Sequence, residues 1–529
     1  MPKRQGKSGL SRRNFLRMAG AGLGVTIAGV APSNLFSGLA TQSALAQAAR
    51  SGVLRVGWTP PVSLDPALYN DAPDISLGIS VYDYLLNINQ KSQIVPSLAK
   101  MPTVSDDGKV YTFALEPNVK FHDGSAFGAE DVKFTFERLM DEKTGSPARS
   151  LYGNIDKIEA VDAATVKFTL KAASAVFLTS LTDYHACILK KGTADPAKEF
   201  NGTGPFKTTK DKVDVTDRAT LTANENYWKP GLPKLEGLEL VFVKDIAALV
   251  TALKGGQLDW VPRIPVELFG DLEKDDTLST VNIPTNSFPN IRIRADQKPG
   301  NDPDVVKAIR LSIDRDGLNK AVIQGLGAPG QDTPIGPLYK DFYSTATPLP
   351  KRDVAAAKAL LEKAGYKDGL ALDFYAPQGE FNADDLAQAL QAQLKEAGIT
   401  LTLKLVQPSV YYDKGPNTWL ESTFGLTNWA SRPDPQSYLD LIYKTGADYN
   451  EAHYSNPDLD KLIDAARVEV DVKKRATIMA DIQKILIESG PSFIPYFYPL
   501  LAAQSKKVSG IEVAPDPGLT SFANAAIAK

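Results

Sequence analysis

The sequence predicts an α/β protein built as two lobes, and two strand–helix–strand units carry that prediction. In the first, a strand from Leu238 to Val243 precedes a helix from Asp245, with Ile246, Leu249, Val250 and Leu253 at helical spacing; Gly255-Gly256 stops it before a strand from Leu258 to Val261. The second repeats the logic: a strand from Leu370 to Tyr375, a helix from Ala383 to Ala397 ended by Gly398, and a strand from Thr400 to Val406. Helical periodicity closed by glycine and flanked by short apolar runs is the pattern of parallel sheet. The units lie about 130 residues apart, which fits two lobes better than one extended sheet. With 529 residues, 43% of them apolar, the chain has room for about three domains at ~150 residues each.

The N-terminus sets the compartment. Residues 1–46 carry Lys3, Arg4, Lys7, Arg12, Arg13 and Arg17 and no acid, with a Gly/Ala-rich, weakly apolar run from Met18 to Ala31. That is the composition of an export signal. Ser11-Arg12-Arg13-Asn14-Phe15-Leu16-Arg17 resembles the twin-arginine (Tat) signature, which export machinery reads before moving a folded protein across a membrane. Ala44-Leu45-Ala46 fits a small-x-small cleavage site, so the mature chain is expected to begin at Gln47. No cysteine follows, and a lipid-anchored product is not expected. The apolar run is also short and glycine-rich beside the ~18 strongly apolar residues of a spanning helix.

Removing residues 1–46 takes the formal charge from −3 to −9. An acidic, exported protein is a poor match for nucleic acid or an anionic membrane, which attract basic patches. Cys187 is the only cysteine, so no intrachain disulfide can form and stability must come from buried core.

In chain order, a strand from Val53 to Trp58 gives way to a proline-rich turn, Pro60 to Pro66. A helix is expected over Ile79 to Leu86 and a strand from Tyr111 to Glu116. Gly128 to Leu139 reads as a helix burying Val132, Phe136 and Leu139, and strands from Ile155 to Ala160 and Thr165 to Lys171 pair across Val161-Asp162-Ala163-Ala164. These elements make a small mixed α/β subdomain. Late in the chain, Asn428-Trp429-Ala430-Ser431-Arg432-Pro433-Asp434-Pro435 sets an indole, a guanidinium and a carboxylate in one proline-stiffened turn. Proline restricts its own φ and the residue before it, so Arg432 and Asp434 are held extended. Asp434 also reads as the cap of a helix with Pro435 at its first position.

An ordered set of motifs runs along the mature chain: Leu64-Asp65-Pro66, Val95-Pro96-Ser97-Leu98-Ala99, Phe121-His122-Asp123-Gly124 with Ala129-Glu130-Asp131-Val132, and Gly202-Thr203-Gly204-Pro205-Phe206. Further members are Asn226-Tyr227-Trp228, Gly256-Gln257-Leu258-Asp259, Ala308-Ile309-Arg310 with Ile313-Asp314-Arg315, and Ala357-Lys358-Ala359-Leu360-Leu361 with Ala364-Gly365-Tyr366. The set resembles the bacterial extracellular solute-binding proteins of family 5, receptors for peptide, nickel and opine importers. The resemblance implies a two-lobed periplasmic binding protein of type II with an extra mixed α/β subdomain in the first lobe. The implied boundaries are lobe I at 47–80, 203–287 and 500–529, the subdomain at 81–202, and lobe II at 288–499. It also implies a monomeric receptor that closes on a small-molecule or short-peptide solute and presents it to an inner-membrane ABC permease. No cofactor is expected.

In the peptide-binding members, the residue three places after the tryptophan is an aspartate that pairs with the peptide's α-amine. Here that position is Arg432, and a guanidinium cannot hold an ammonium. Arg432 is therefore expected to grip a carboxylate or other anion in a forked geometry, with Asp434 available for an amine, which points to a peptide-like, acidic or zwitterionic solute. Trp429 and Asn428 belong to the same turn. Tyr69 and Asn70 follow the Leu64-Asp65-Pro66 turn where the family makes first-lobe contacts, Arg292 and Arg294 share one face of the strand that crosses between lobes, and Tyr411, with Tyr412 and Trp419, is a candidate pocket wall.

Rival classes are a sensor or chaperone on the same scaffold and an exported hydrolase. His122, His185 and His453 are the only histidines and are widely separated in sequence, without the spacing of a metal site. Gly325-Leu326-Gly327-Ala328-Pro329-Gly330 matches a dinucleotide fingerprint formally, but it follows a helical pattern and contains proline, so it reads as a loop.

Overall fold

The computed structural model describes residues 50–89, 93–413, 415 and 418–528; the expected export signal lies outside them. Within Ala49–Lys529, which form one compact unit, the strands gather into three principal sheets. The first has eight strands, in the order Leu278–Pro284, Pro499–Ser505, Trp260–Pro262, Val53–Trp58, Gly237–Phe242, Arg218–Ala223 and Phe206–Lys207, with Val213–Asp214 paired to Arg218–Ala223. The expected strand–helix–strand unit is present, its helix Ile246–Lys254 capped by Asp245. Its two strands are parallel but not neighbours: Val53–Trp58 lies between them and pairs parallel with both.

The second sheet has five strands, ordered Ile399–Val406, Leu370–Pro377, Phe424–Trp429, Phe288–Ile293 and Ser492–Phe493. Leu370–Pro377 and Ile399–Val406 pair in parallel over their full length, joined by the Ala383–Glu396 helix, whose buried Leu386, Leu390 and Leu394 face the sheet. A third, four-stranded antiparallel sheet is formed by Thr103–Val104, Val110–Ala114, Thr165–Leu170 and Ile155–Asp162. Against it packs the Ala129–Met140 helix, through Val132, Phe136 and Leu139.

One helix differs from expectation. It spans Ala72–Val81 rather than the Ile79-to-Leu86 stretch, with Asp71 accepting from the Ala72 N–H and a proline in its first turn. Leu85 and Leu86 are fully buried and Tyr82 and Tyr84 nearly so, and a run buried on every side has no period to distinguish helix from extended chain.

The motifs prove to be joints of this scaffold. Gly202 and Gly204 press against the end of the Ala72–Val81 helix so closely that a Cβ would lie 2.0 and 2.6 Å from the Val81 carbonyl oxygen. Buried Asp83 accepts from Thr203 Oγ1, Tyr227 Oη and Trp228 Nε1 at 3.1, 3.0 and 2.8 Å. Asp65 takes both Arg138 terminal nitrogens at 3.0 and 2.5 Å, and Asp259 takes Arg55 Nε and Nη2 at 2.8 and 2.7 Å. Arg310 and Arg315 converge on the fully buried Asp332, which also accepts from the Ile494 N–H.

The chain passes between the two larger sheets at residues 285–287 and again at residues 494–498. The two passages are tied together: the Tyr498 N–H donates to Ser287 O at 2.8 Å and Thr285 Oγ1 to Tyr498 O at 2.7 Å.

Candidate binding cleft

The Leu370–Pro377 and Phe424–Trp429 strands run parallel and side by side, so the segments that follow them, residues 378–382 and 430–435, leave the sheet at one carboxyl edge. In open α/β sheets ligands bind beyond that edge.

The Trp429 turn is pinned from behind. Trp429 Nε1 donates to Glu451 Oε1 at 3.0 Å. Glu451, fully buried, also accepts from Asn290 Nδ2 (2.8 Å), Thr427 Oγ1 (2.6 Å) and Arg292 Nε (3.3 Å). Tyr438 Oη donates to Ala430 O at 2.7 Å, Tyr339 Oη to Arg432 O at 2.6 Å, and the Asn286 N–H to Ser431 Oγ at 3.2 Å. With its backbone held this way, Arg432 projects toward the first lobe.

Arg432 is half-buried, and its Nε is shielded from water without a hydrogen-bond partner. Its guanidinium faces the Tyr184 hydroxyl and acts electrostatically on Asp516, both beyond the interlobe groove. Burial pushes the Tyr184 hydroxyl up to about 12, Asp183 adding to the shift and Arg432 opposing it. Burial also raises Asp516, against the pull of Arg263 and Arg432. Arg263 in turn holds Asp71 at 2.7 Å. Tyr184 and Asp516 thus face Arg432, with Arg263 and Asp71 beside Asp516.

The other residues singled out from sequence divide sharply. Asp434 is not free for an amine: Arg475 takes both its oxygens at 2.8 and 2.7 Å, and Oδ1 caps the Gln436 N–H at 2.8 Å. Arg292 points into the lobe, fully buried among Glu451, Ser422 and the Trp419 carbonyl. Arg294 is held by Asp296 and Glu421. Arg292 therefore satisfies a buried acid and Arg294 two exposed ones, and neither guanidinium is left for a solute. Tyr411 is core, its hydroxyl donating to Leu426 O at 2.8 Å. The Tyr69 ring is buried against Gly78, and its carbonyl is taken up inside the lobe by His185 Nε2 at 2.8 Å. Asn70 is exposed at the rim, in a loop wound around buried Asp74, which accepts from the Val62, Ser63 and Asn70 N–H groups. Asn428 is partly exposed, with Oδ1 2.9 Å from Tyr498 Oη.

Sequence reasoning missed Tyr184, Arg263, Asp516 and Glu380, which come from four separate stretches and carry no local pattern. In the fold, Asp183 Oδ1 lies 2.6 Å from His185 Nδ1 and fixes the ring against which Tyr184 packs. Among the described residues there is no cluster of His, Cys, Asp and Glu fit to hold a metal ion. A cavity of about 400 Å³ beside Asp296, Arg310 and His453 and another of about 670 Å³ beside His122, Lys207 and Thr222 lie elsewhere and include no residue of the Arg432 groove.

Two sheets joined by two hydrogen-bonded passages, with a charged groove between them, define a two-lobed periplasmic binding protein. The model of the bacterial extracellular solute-binding proteins, family 5 (middle region), matches residues 93–450, and the chain belongs to that family, whose members serve ABC importers as solute receptors. The glutathione-binding protein GsiB of Pectobacterium atrosepticum is 31% identical over 493 residues, covering 90% of this chain and 94% of the relative. Among solved structures, the binding protein AgaA of A. tumefaciens R10 in complex with agropinic acid superposes with a TM-score of 0.73 at 25% identity, covering 90% of this chain and 99% of that one. CtaP, an ABC transporter substrate-binding protein of Listeria monocytogenes, superposes with a TM-score of 0.80 at 24% identity, over 91% of this chain and 100% of that one. Among the described residues no helix is long and apolar enough to cross a membrane.

Proposed function

We propose that this chain is exported by the twin-arginine route and works in the periplasm, soluble and monomeric, as a non-catalytic receptor that hands its solute to an inner-membrane ABC permease. Lobe I is assigned to 47–80, 203–287 and 500–529, its extra subdomain to 81–202, and lobe II to 288–499. The solute is a peptide-like acid or zwitterion, with a carboxylate taken by Arg432. One observation carries this reading: a half-buried guanidinium with an unpaired Nε stands in the groove, on a turn whose own acid, Asp434, is already committed to Arg475.

A charge left short of partners in a groove is a cost in the empty receptor, and a carboxylate arriving in forked geometry relieves it. Closure is driven only by the solute's preference for the closed state, and a contact spanning Arg432 on one lobe and Tyr184 on the other supplies such a preference. The glutathione named for one relative and the agropinic acid bound by another both bear carboxylates, so both serve as probes. Isothermal calorimetry should show Arg432→Ala losing roughly 2 to 5 kcal/mol of affinity for whichever probe the wild type binds. Unchanged affinity would sink the assignment.

A further inference from the structure

With Asp434 paired to Arg475, the anionic group for a cationic end of the solute must be sought elsewhere. We propose that Glu380, framed by Tyr412, Phe381 and Tyr498, receives an ammonium, so that the cleft selects an amine-bearing acid held between Glu380 and Arg432. The proposal rests on the reading of Arg432 for the anionic pole only.

Placement comes first. Glu380 leaves the sheet three residues after the Leu370–Pro377 strand, at the same carboxyl edge as the Trp429 turn. Asn428 Nδ2 donates to Glu380 O at 3.4 Å, and Tyr498 Oη lies 2.9 Å from both Phe381 O and Asn428 Oδ1. Tyr498 belongs to the passage by which the chain returns to the first lobe. Across the gap, Asn382 Nδ2 donates to Glu267 Oε1 on the Val266–Leu272 helix at 2.7 Å. The loop thus sits beside the hinge, at the mouth between the lobes.

Charge comes second. Glu380 is half-buried, and among the described residues its side chain has one hydrogen-bond donor, Tyr412 Oη at 3.0 Å, and no Lys or Arg partner. A partly desolvated carboxylate without a cation is costly to maintain; Asp65, likewise half-buried, meets that cost with Arg138. Burial accordingly raises the Glu380 pKa, the Tyr412 hydroxyl opposing the shift.

Shape comes third. The Phe381 ring is 56% exposed and lies 5.8 Å from that of Tyr498, and the Tyr412 ring lies 5.7 Å from that of Trp419. Aromatic faces around a carboxylate are a recognised setting for ammonium groups. Phe381 and Asn382 have φ of +45° and +58°, a left-handed pair of non-glycine residues that aims the Phe381 ring out of the lobe at a backbone cost.

The test uses the purified chain with reduced glutathione and N-acetylglutathione, which keeps both carboxylates but lacks the ammonium. Calorimetry should show the wild type preferring the free amine by about tenfold or more, as expected for one charge pair in a groove, and Glu380→Gln binding both alike. Between about pH 4.5 and 7, below the ionisation of the solute amine, glutathione affinity should rise with pH in the wild type as Glu380 loses its proton. It should stay flatter in Glu380→Gln. Tyr412 and Tyr498, which face Glu380, are pushed far above their ordinary range by burial and stay protonated throughout; Glu267 stands beyond Asn382 and is common to both proteins. An equal preference in Glu380→Gln, a wild-type preference for the acetylated probe, or no wild-type binding of either would overturn the proposal. Arg432→Ala should weaken both probes and keep the preference; if it binds both as the wild type does, the anionic-pole reading falls while the Glu380 comparison still stands.

Discussion

Arg432 and Asp434 are separated by one proline, yet the protein uses them for opposite ends. Arg475 turns Asp434 into a buried half of an ion pair, and removing one partner of such a pair leaves an uncompensated charge that costs roughly 3 to 5 kcal/mol. Asp434→Ala should therefore lower thermal stability markedly while the folded fraction keeps its affinity for glutathione; a large affinity loss at unchanged stability would restore Asp434 as a solute contact. Tyr184 is the counterpart on the first lobe. With its hydroxyl pushed up to about 12 by burial, it remains a neutral donor at any working pH. Tyr184→Phe should cost about 0.5 to 1.5 kcal/mol of affinity, with no change in the pH profile.

At the scale of elements, what the motifs encode is joinery. Gly204 is glycine because a side chain there would meet the backbone ending the Ala72–Val81 helix: its Cβ would stand 2.5 Å from the Val81 carbonyl carbon. Gly204→Ala should destabilise the fold by roughly 1 to 3 kcal/mol, read as a lower melting temperature, and leave solute affinity intact. The same holds for Asp65, Asp259, Arg310 and Arg315, whose charges end on partners 73, 204, 22 and 17 positions away. Such residues are legible in sequence because each joint demands one residue type at one spacing. Tyr184 and Asp516 are not, because nothing in their own neighbourhoods requires them. Arg292 and Arg294 misled for a related reason. Alternation along a strand tells which residues share a face, but not whether that face meets water or a buried acid such as Glu451.

At the scale of the molecule, the lobes are already in contact at several points: Ala175 N–H to Arg467 O at 2.8 Å on one flank, and Asn382 to Glu267 near the hinge. A solute that binds only this arrangement should stabilise it by mass action, about 2.7 kcal/mol at one hundred times the dissociation constant. A melting scan with reduced glutathione should show that rise in the wild type and little of it in Arg432→Ala at the same concentration. No rise in the wild type would count against a glutathione-like solute.

By itself the sequence determined the α/β class, the two strand–helix–strand units, the family and the Trp429 turn, since these rest on periodicity, glycine and proline placement and short motifs, all local in the chain. The tertiary structure alone decided which charges are spent. Asp434, Arg292 and Arg294 pair with acids or bases of this chain, while among the described residues Arg432 and Glu380 have no ion-pair partner. Most of these pairings are settled by distances between residues tens to hundreds of positions apart, and those distances exist only once the chain has folded.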